Sequence, residues 1–175
     1  MIITIEPIDS RHSDHIQEVA ADPAMAKTSD IPDPLPPGGA SAWIERMKGF
    51  RDQGRALTFA ILADGRAIGG CQLGNLDCNG SKSAELGFFI GRRFWGRGYA
   101  TQGSRLLLKH AFEDLGLASV RAGCLAWNEG AVRVLKKLGF EYTHDGPPPQ
   151  NSKFFESERF QFWILNREKW QSAPR

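Results

Sequence analysis

The residues best suited to chemistry lie between Ala84 and Thr101, in the stretch AELGFFIGRRFWGRGYAT. A short apolar run ends in Gly96-Arg97-Gly98-Tyr99-Ala100, and a helical pattern begins at once. Backbone without side chains at the mouth of a strand offers N–H groups to an anion, and the first turn of a helix adds its partial positive charge there. The expected ligand therefore carries phosphates. Glycine spacing alone leaves a second reading, in which Gly96 and Gly98 merely turn a strand into a helix. Two common phosphate loops are excluded. A dinucleotide fingerprint needs a third glycine and lies in the first strand-to-helix turn, and a Walker A loop needs Gly-Lys followed by Ser or Thr. Arg92, Arg93 and Arg97 cluster beside the turn as phosphate partners or as solvated side chains, and Arg97 is the best placed of them.

The elements that must position this turn are those of one domain. A length of 175 residues suits a single core, and 41% hydrophobic with 24% charged residues is ordinary for a soluble globular protein. No apolar run approaches the roughly 20 residues that span a bilayer, and Met1 to Glu6 alternates like an edge strand instead of opening a signal peptide. These features predict no membrane partner. A net charge of +2 gives no case for a nucleic-acid surface. Cys71, Cys78 and Cys124 are odd in number and lack metal-ligand spacing, which predicts free thiols, a reducing cytoplasm and no metal.

Periodicity gives the order of elements. Ile2 to Ile8 reads as a strand, and His12 to Ala21 as a short helix. Ile31 to Gly39 (IPDPLPPGG) carries four prolines and must be a semi-rigid loop. Ser41 is the expected cap of a helix whose Trp43, Ile44, Met47 and Phe50 share a face. Ala56 to Ala63 and Ala67 to Leu76 form a hairpin about Asp64-Gly65. A polar turn from Asp77 to Ser83 leads into the strand Ala84 to Ile90. A helix from about Thr101 to Leu115, a strand from Ser119 to Trp127 and a helix begun by Asn128 follow. Phe140 to Thr143 is a strand, His144 to Ser152 a proline-rich loop, and Arg159 to Leu165 the closing strand. The predicted fold class is mixed α/β, a strand–helix–strand–helix segment inside a largely antiparallel meander.

The ordered set Trp95-Gly96-Arg97-Gly98-Tyr99-Ala100-Thr101, then Asn128-Glu129-Gly130-Ala131, then Val134 to Phe140 resembles the GNAT superfamily of acyl-CoA-dependent N-acetyltransferases. Within it, the chain is most similar to the branch of ribosomal-protein-alanine acetyltransferases. The resemblance implies a mostly antiparallel sheet of about seven strands and about four helices, with a βαβα core that binds coenzyme A. The family's Q/R-x-x-G-x-G/A signature falls on Trp95, Gly98 and Ala100, with Trp95 departing from the general pattern. It implies that backbone from Gly96, Arg97, Gly98, Tyr99, Ala100 and Thr101 holds the pyrophosphate, and that Phe88, Phe89 and Ile90 pair with the pantetheine arm as a neighbouring strand would. Asn128 corresponds to the asparagine that meets this arm; by position it is equally a helix N-cap.

The chemistry implied is attack of a neutral amine on the acetyl thioester, which needs a base because amines are mostly protonated at neutral pH. Glu85 is the candidate base, since it is the acidic residue of the strand expected beside the thioester; the bland alternative is a strand-end salt bridge. Backbone N–H near Phe89 is the candidate oxyanion donor. No covalent intermediate is required, so neither Cys124 nor Ser104 reads as a nucleophile. Leu135 and Ala131 replace the tyrosine and serine that relatives use as general acid, which leaves the acid unassigned, with Tyr142 a weak substitute. His12, His15, His110 and His144 read as surface or core-edge residues. The acceptor is an amine, small molecule or protein N-terminus, in a monomer or homodimer, and Asp30 and Asp33 are loop acids that could attract it. A non-catalytic acyl-CoA-binding or sensing module is the alternative that Leu135 and Ala131 favour.

Overall fold

Strands β1 (Ile3–Pro7), β2 (Leu57–Ala63), β3 (Arg66–Gly74), β4 (Ser83–Ile90), β5 (Ser119–Leu125), β6 (Glu141–Gly146) and β7 (Phe160–Asn166) form one sheet, in the order β1-β2-β3-β4-β5-β7-β6. The computed structural model that shows this describes residues 1–76, 80 and 82–172. Cys78 and most of the expected Asp77–Ser83 turn lie outside the described residues. Every neighbouring pair is antiparallel except β4 with β5. Helices α1 (Ser13–Ala20), α2 (Pro23–Ala26), α3 (Gly39–Asp52), α4 (Tyr99–Lys109), α5 (Glu129–Leu138) and α6 (Arg167–Ser172) surround it.

Apolar periodicity places both faces. The larger core lies between the sheet and helices α4 and α5, around Ile61, Ile68, Leu107, Leu108, Val120, Leu135 and Leu165. Each fully buried aliphatic side chain there contributes about 1.5–3 kcal/mol of hydrophobic stabilisation. A second core on the opposite face joins Ile16 of α1 and Ile44 and Met47 of α3 to Ala60, Leu62 and Ala67. Strands β2 and β3 are covered on both faces, which is why they read as continuous apolar runs instead of alternating ones. The hairpin turn has Asp64 at φ 48° and Gly65 at φ 82°, the paired left-handed conformation favoured between twisted strands.

Several boundaries differ from the sequence reading for local reasons. Helix α3 starts at Gly39, with Gly38 left-handed at φ 73° as its N-cap, ahead of the expected Ser41. Helix α4 starts at Tyr99 and gives way at His110–Asp114 to a wider π turn, so the segment expected as one helix has two geometries. There are six described helices where about four were expected. The one-turn α2 exists because the Asp22 carboxylate accepts from the Ala24 N–H ahead of Pro23 in the first turn. The segment His144–Gly146, expected in a loop, continues β6, where His144 stacks on Phe162 with ring centroids 4.9 Å apart. His12 is buried, and its Nδ1 accepts from the Asp9 N–H in a reciprocal cap.

Candidate active site

Beginning together at Ser83/Ser119, strands β4 and β5 stay paired only to Glu85/Arg121. β5 is paired with β7 along its whole other edge, and beyond Glu85 the β5-facing backbone groups from Leu86 to Phe89 have no strand partner among the described residues. A cleft of about 1080 Å³ opens where the strands part. One wall is Phe88, Phe89 and Ile90 of β4, and the other is Cys124 and Leu125 of β5 with Trp127 and Asn128 behind them. The N-terminus of α4 closes one end through Gly96, Gly98, Tyr99, Ala100 and Thr101.

The glycine turn is built as its residues require. Gly96 and Gly98 hold φ of 74° and 79°, a conformation costing roughly 1–2 kcal/mol for residues with a Cβ. The Gln102 N–H makes the first helical bond, to the Gly98 carbonyl at 3.0 Å, so the N–H groups of Tyr99, Ala100 and Thr101 lack intrahelical acceptors. They face a cleft already carrying the helix's partial positive charge. The Trp95 indole N–H donates to the Ile90 carbonyl at 2.5 Å, tying the turn to the end of β4.

The flanking arginines behave differently. Arg93 donates to Glu18 at 2.7 Å and lies over the Phe94 ring, so it is committed to the scaffold and not free for a phosphate. Arg97 is exposed, and its side chain is not among the cleft walls. Asn128 caps α5, its Oδ1 accepting from the Ala131 N–H at 3.1 Å, while the residue also lines the cleft. Its amide nitrogen has no protein partner among the described residues.

Glu85, Gly87 and Phe89 share one face of β4, and Leu86, Phe88 and Ile90 share the other, as alternation requires. Phe89 meets Trp43 of α3 edge-on with centroids 5.8 Å apart. Glu85 lines a smaller cavity of about 450 Å³ that shares Gln72, Leu86, Gly87, Gly123 and Phe160 with the large cleft. Its Oε2 accepts from the Asn75 side-chain amide at 2.5 Å, and no cation pairs with it among the described residues. Gln72 and Asn75 were missed by the sequence reading. Their signal was a polar residue on each side of Leu73-Gly74 in an otherwise apolar strand.

Residues 3–141 match the family described as an acetyltransferase (GNAT) domain. The chain belongs to the GNAT acetyltransferase family. It is 24% identical to the uncharacterized N-acetyltransferase p20 of Bacillus licheniformis, over 79% of each chain. Among solved structures it is similar to Mycobacterium smegmatis RimJ in complex with CoA-disulfide (18% identity, TM-score 0.84), covering 98% of this chain and 85% of that one. It is also similar to RimL, a ribosomal L7/L12 alpha-N-protein acetyltransferase in complex with coenzyme A (12% identity, TM-score 0.83), covering 94% and 93%. At these identities the likeness establishes the fold.

The remaining side chains of this GNAT acetyltransferase limit what acid chemistry is available. Tyr142 lies on β6 at the sheet edge, half exposed, and lines neither cavity. Desolvation and its hydrogen bond to Asp145 hold its phenol above the usual range. Leu135 is 1% exposed and lines the cleft as part of the core. Cys124 also lines the cleft, and burial pushes its thiol up to about 11, so it is overwhelmingly protonated at neutral pH. Cys71 is buried deeper, and its thiol is raised further by desolvation. No described helix is long and apolar enough to cross a membrane.

Along one side of the large cleft, two proline-rich loops are fastened together. The Asp30 carboxylate accepts from Ser152 Oγ at 2.8 Å and from the Lys153 N–H at 3.1 Å, while Lys153 Nζ donates to the Ile31 carbonyl at 2.7 Å. Asp30, read from sequence as a loop acid that could attract a cationic amine, is an anchor within the protein.

Proposed function

We propose that this protein transfers an acetyl group from acetyl-CoA to a primary amine, with both substrates bound at once. The observation that carries this is the parting of β4 and β5 beyond Glu85 and Arg121, in line with the Gly96–Thr101 turn. An extended chain bearing amides fits the unpartnered edge of β4, as an added strand would, and a diphosphate fits the donors at the start of α4. Acetyl-CoA supplies the activated acyl group as a thioester. Gly96 to Thr101 hold its phosphates, Phe88 to Ile90 align its arm, and the Asn128 amide nitrogen donates to it from the opposite wall.

The chemistry left to the protein is proton management and orientation. Glu85 takes the proton from the attacking amine, directly or through one water, as the new N–C bond forms and the C–S bond breaks. Backbone N–H groups of β4 near Phe89 stabilise the oxygen that gains negative charge. The departing sulfur takes its proton from solvent, because Leu135 and Ala131 offer none. That same pair favours a second reading, an acyl-CoA sensor without turnover.

Calorimetric titration with acetyl-CoA, beside NADH and ATP, tests the first half of the proposal. Micromolar binding of acetyl-CoA alone supports it; equal binding of all three, or none, overturns it. Release of free CoA on addition of an amine then separates the enzyme from the sensor.

A further inference from the structure

Among the described residues, the smaller cavity has two charged residues in its wall, Glu85 and Arg55. They do not pair with each other. The Arg55 guanidinium lies over the Phe50 ring at 4.9 Å and reaches Gln53 Oε1 at 3.4 Å, and no carboxylate pairs with it among the described residues. Among the described residues, Asn75 alone holds Glu85. One carboxylate and one guanidinium without an ion-pair partner among the described residues therefore share a pocket whose wall also holds the amides Gln72, Asn75 and Asn151 and the apolar rings of Phe50, Phe160 and Phe162.

The pocket opens toward the large cleft between Gly87 and Gly123, which line both cavities. A Cβ built at Gly87 meets nothing within 4 Å, so the absence of a side chain there is not forced by packing and leaves an aperture. An amine beside Glu85 would face the thioester through this gap.

Resting on the acetyl-transfer reading, we propose that the acceptor is a zwitterion of amino-acid type: its amine meets Glu85, its carboxylate meets Arg55, and an apolar side chain lies against the phenylalanines. Arg55 then acts as the specificity-determining residue. Its planar fork binds a carboxylate through two parallel hydrogen bonds, which neither the bare carbon chain of a monoamine nor a cationic group can accept. A polyamine is the wrong ligand for this pocket, because its second cation would be driven against Arg55 with a single carboxylate to hold the first.

The experiment is a CoA-release assay on the full chain with saturating acetyl-CoA and three acceptors: L-phenylalanine, phenethylamine and spermidine. The expected kcat/KM is highest for phenylalanine. Arg55→Gln, an exposed position whose replacement leaves the core untouched, should shrink the phenylalanine to phenethylamine ratio by roughly tenfold or more, the worth of a charged hydrogen-bonded pair. An unchanged ratio in Arg55→Gln overturns the proposal, as does preference for phenethylamine or spermidine. Acetyl-CoA binding without acetylation of phenylalanine overturns it too, while leaving the cofactor assignment standing. Failure to bind acetyl-CoA at all would instead remove the reading beneath it.

Discussion

Glu85 and Arg121 are the last residues joined across two parallel strands that then separate, and Glu85 lines the smaller cavity that adjoins the cleft. One register position thus ends the pairing of β4 with β5 and carries an acidic side chain. Because the Asn75 amide holds this carboxylate in place, Glu85→Gln preserves the hydrogen-bonding shape and removes only the base. The expected result is a fall in kcat of about 10²–10⁴, the range for a positioned general base, with acetyl-CoA affinity nearly unchanged by calorimetry. Unaltered turnover across the pH range would assign Glu85 a structural role.

At Gly98, conformation and ligand binding can be separated. Any side chain is strained at φ 79°, so Gly98→Ala and Gly98→Glu should both lose about 1 kcal/mol or somewhat more of stability. Only the glutamate places a negative charge against the α4 N–H groups. Acetyl-CoA titration should therefore show weakened binding for the alanine variant and none for the glutamate variant, with both folded by circular dichroism.

Sequence revealed the fold well where burial is one-sided. The stripe of Leu107, Leu108, Ala111 and Phe112 marked a helix against a sheet, and Asp64-Gly65 marked a hairpin, because each signal is local. It also showed the turn from Gly96 to Thr101, since glycines ahead of an amphipathic helix have a backbone meaning by themselves. What stayed hidden depends on partners distant in the chain. Nothing near Arg93 announces that Glu18 holds it, nothing near Asp30 points to Ser152, and the buried state of His12 follows from packing that no periodicity encodes. Glu85 was legible as the acid of its strand, but its separate cavity was not, because Arg55 and Asn75 come from other elements.

Packing beneath the glycine turn gives a prediction about stability alone. A Cβ on Gly103 of α4 would lie 2.7 Å from Ile61 Cδ1 and 2.8 Å from its Cγ1, so the helix approaches β2 more closely than any side chain permits. Gly103→Ala should destabilise the protein by about 1–3 kcal/mol, the usual cost of overpacking, despite the better helix propensity of alanine. Ile61→Val in the same chain should recover part of that loss in denaturant melts, because it removes the Cδ1 that clashes. Additive effects of the two substitutions would show that the contact is not the cause.

Glu18 joins Arg93, ahead of the turn, to Arg66 at the start of β3. Hydrogen bonds from Arg93 and then Arg66 hold its carboxyl below the ordinary value of 4.5. A depressed carboxylate contributes stability above its unfolded pKa and loses it as pH falls through the lower folded value. The thermal stability gap between wild type and Glu18→Gln should thus be full at pH 6 and shrink below about pH 4.5. Its size should be small and salt-sensitive, since the pair is solvent-exposed. A gap constant from pH 6 to pH 3 would mean that charge plays no part.

The loop clasp offers the last prediction, because it ties residues far apart in sequence at the mouth of the site. Asp30 accepts two hydrogen bonds from the 149–158 loop, and Lys153 returns one to Ile31, so removing the Asp30 carboxylate should release both loops together. In Asp30→Ala the hydroxyl of Ser152, a residue that is buried in the wild type, loses its acceptor and must turn to solvent, which favours opening. The global melting temperature should change little, since neither hydrophobic core includes these loops. Limited proteolysis should instead cut faster within 27–38 and 147–158, and the acceptor KM should rise while acetyl-CoA affinity holds. Equal protection of the two loops in the variant would show that their prolines, and not this carboxylate, keep them closed.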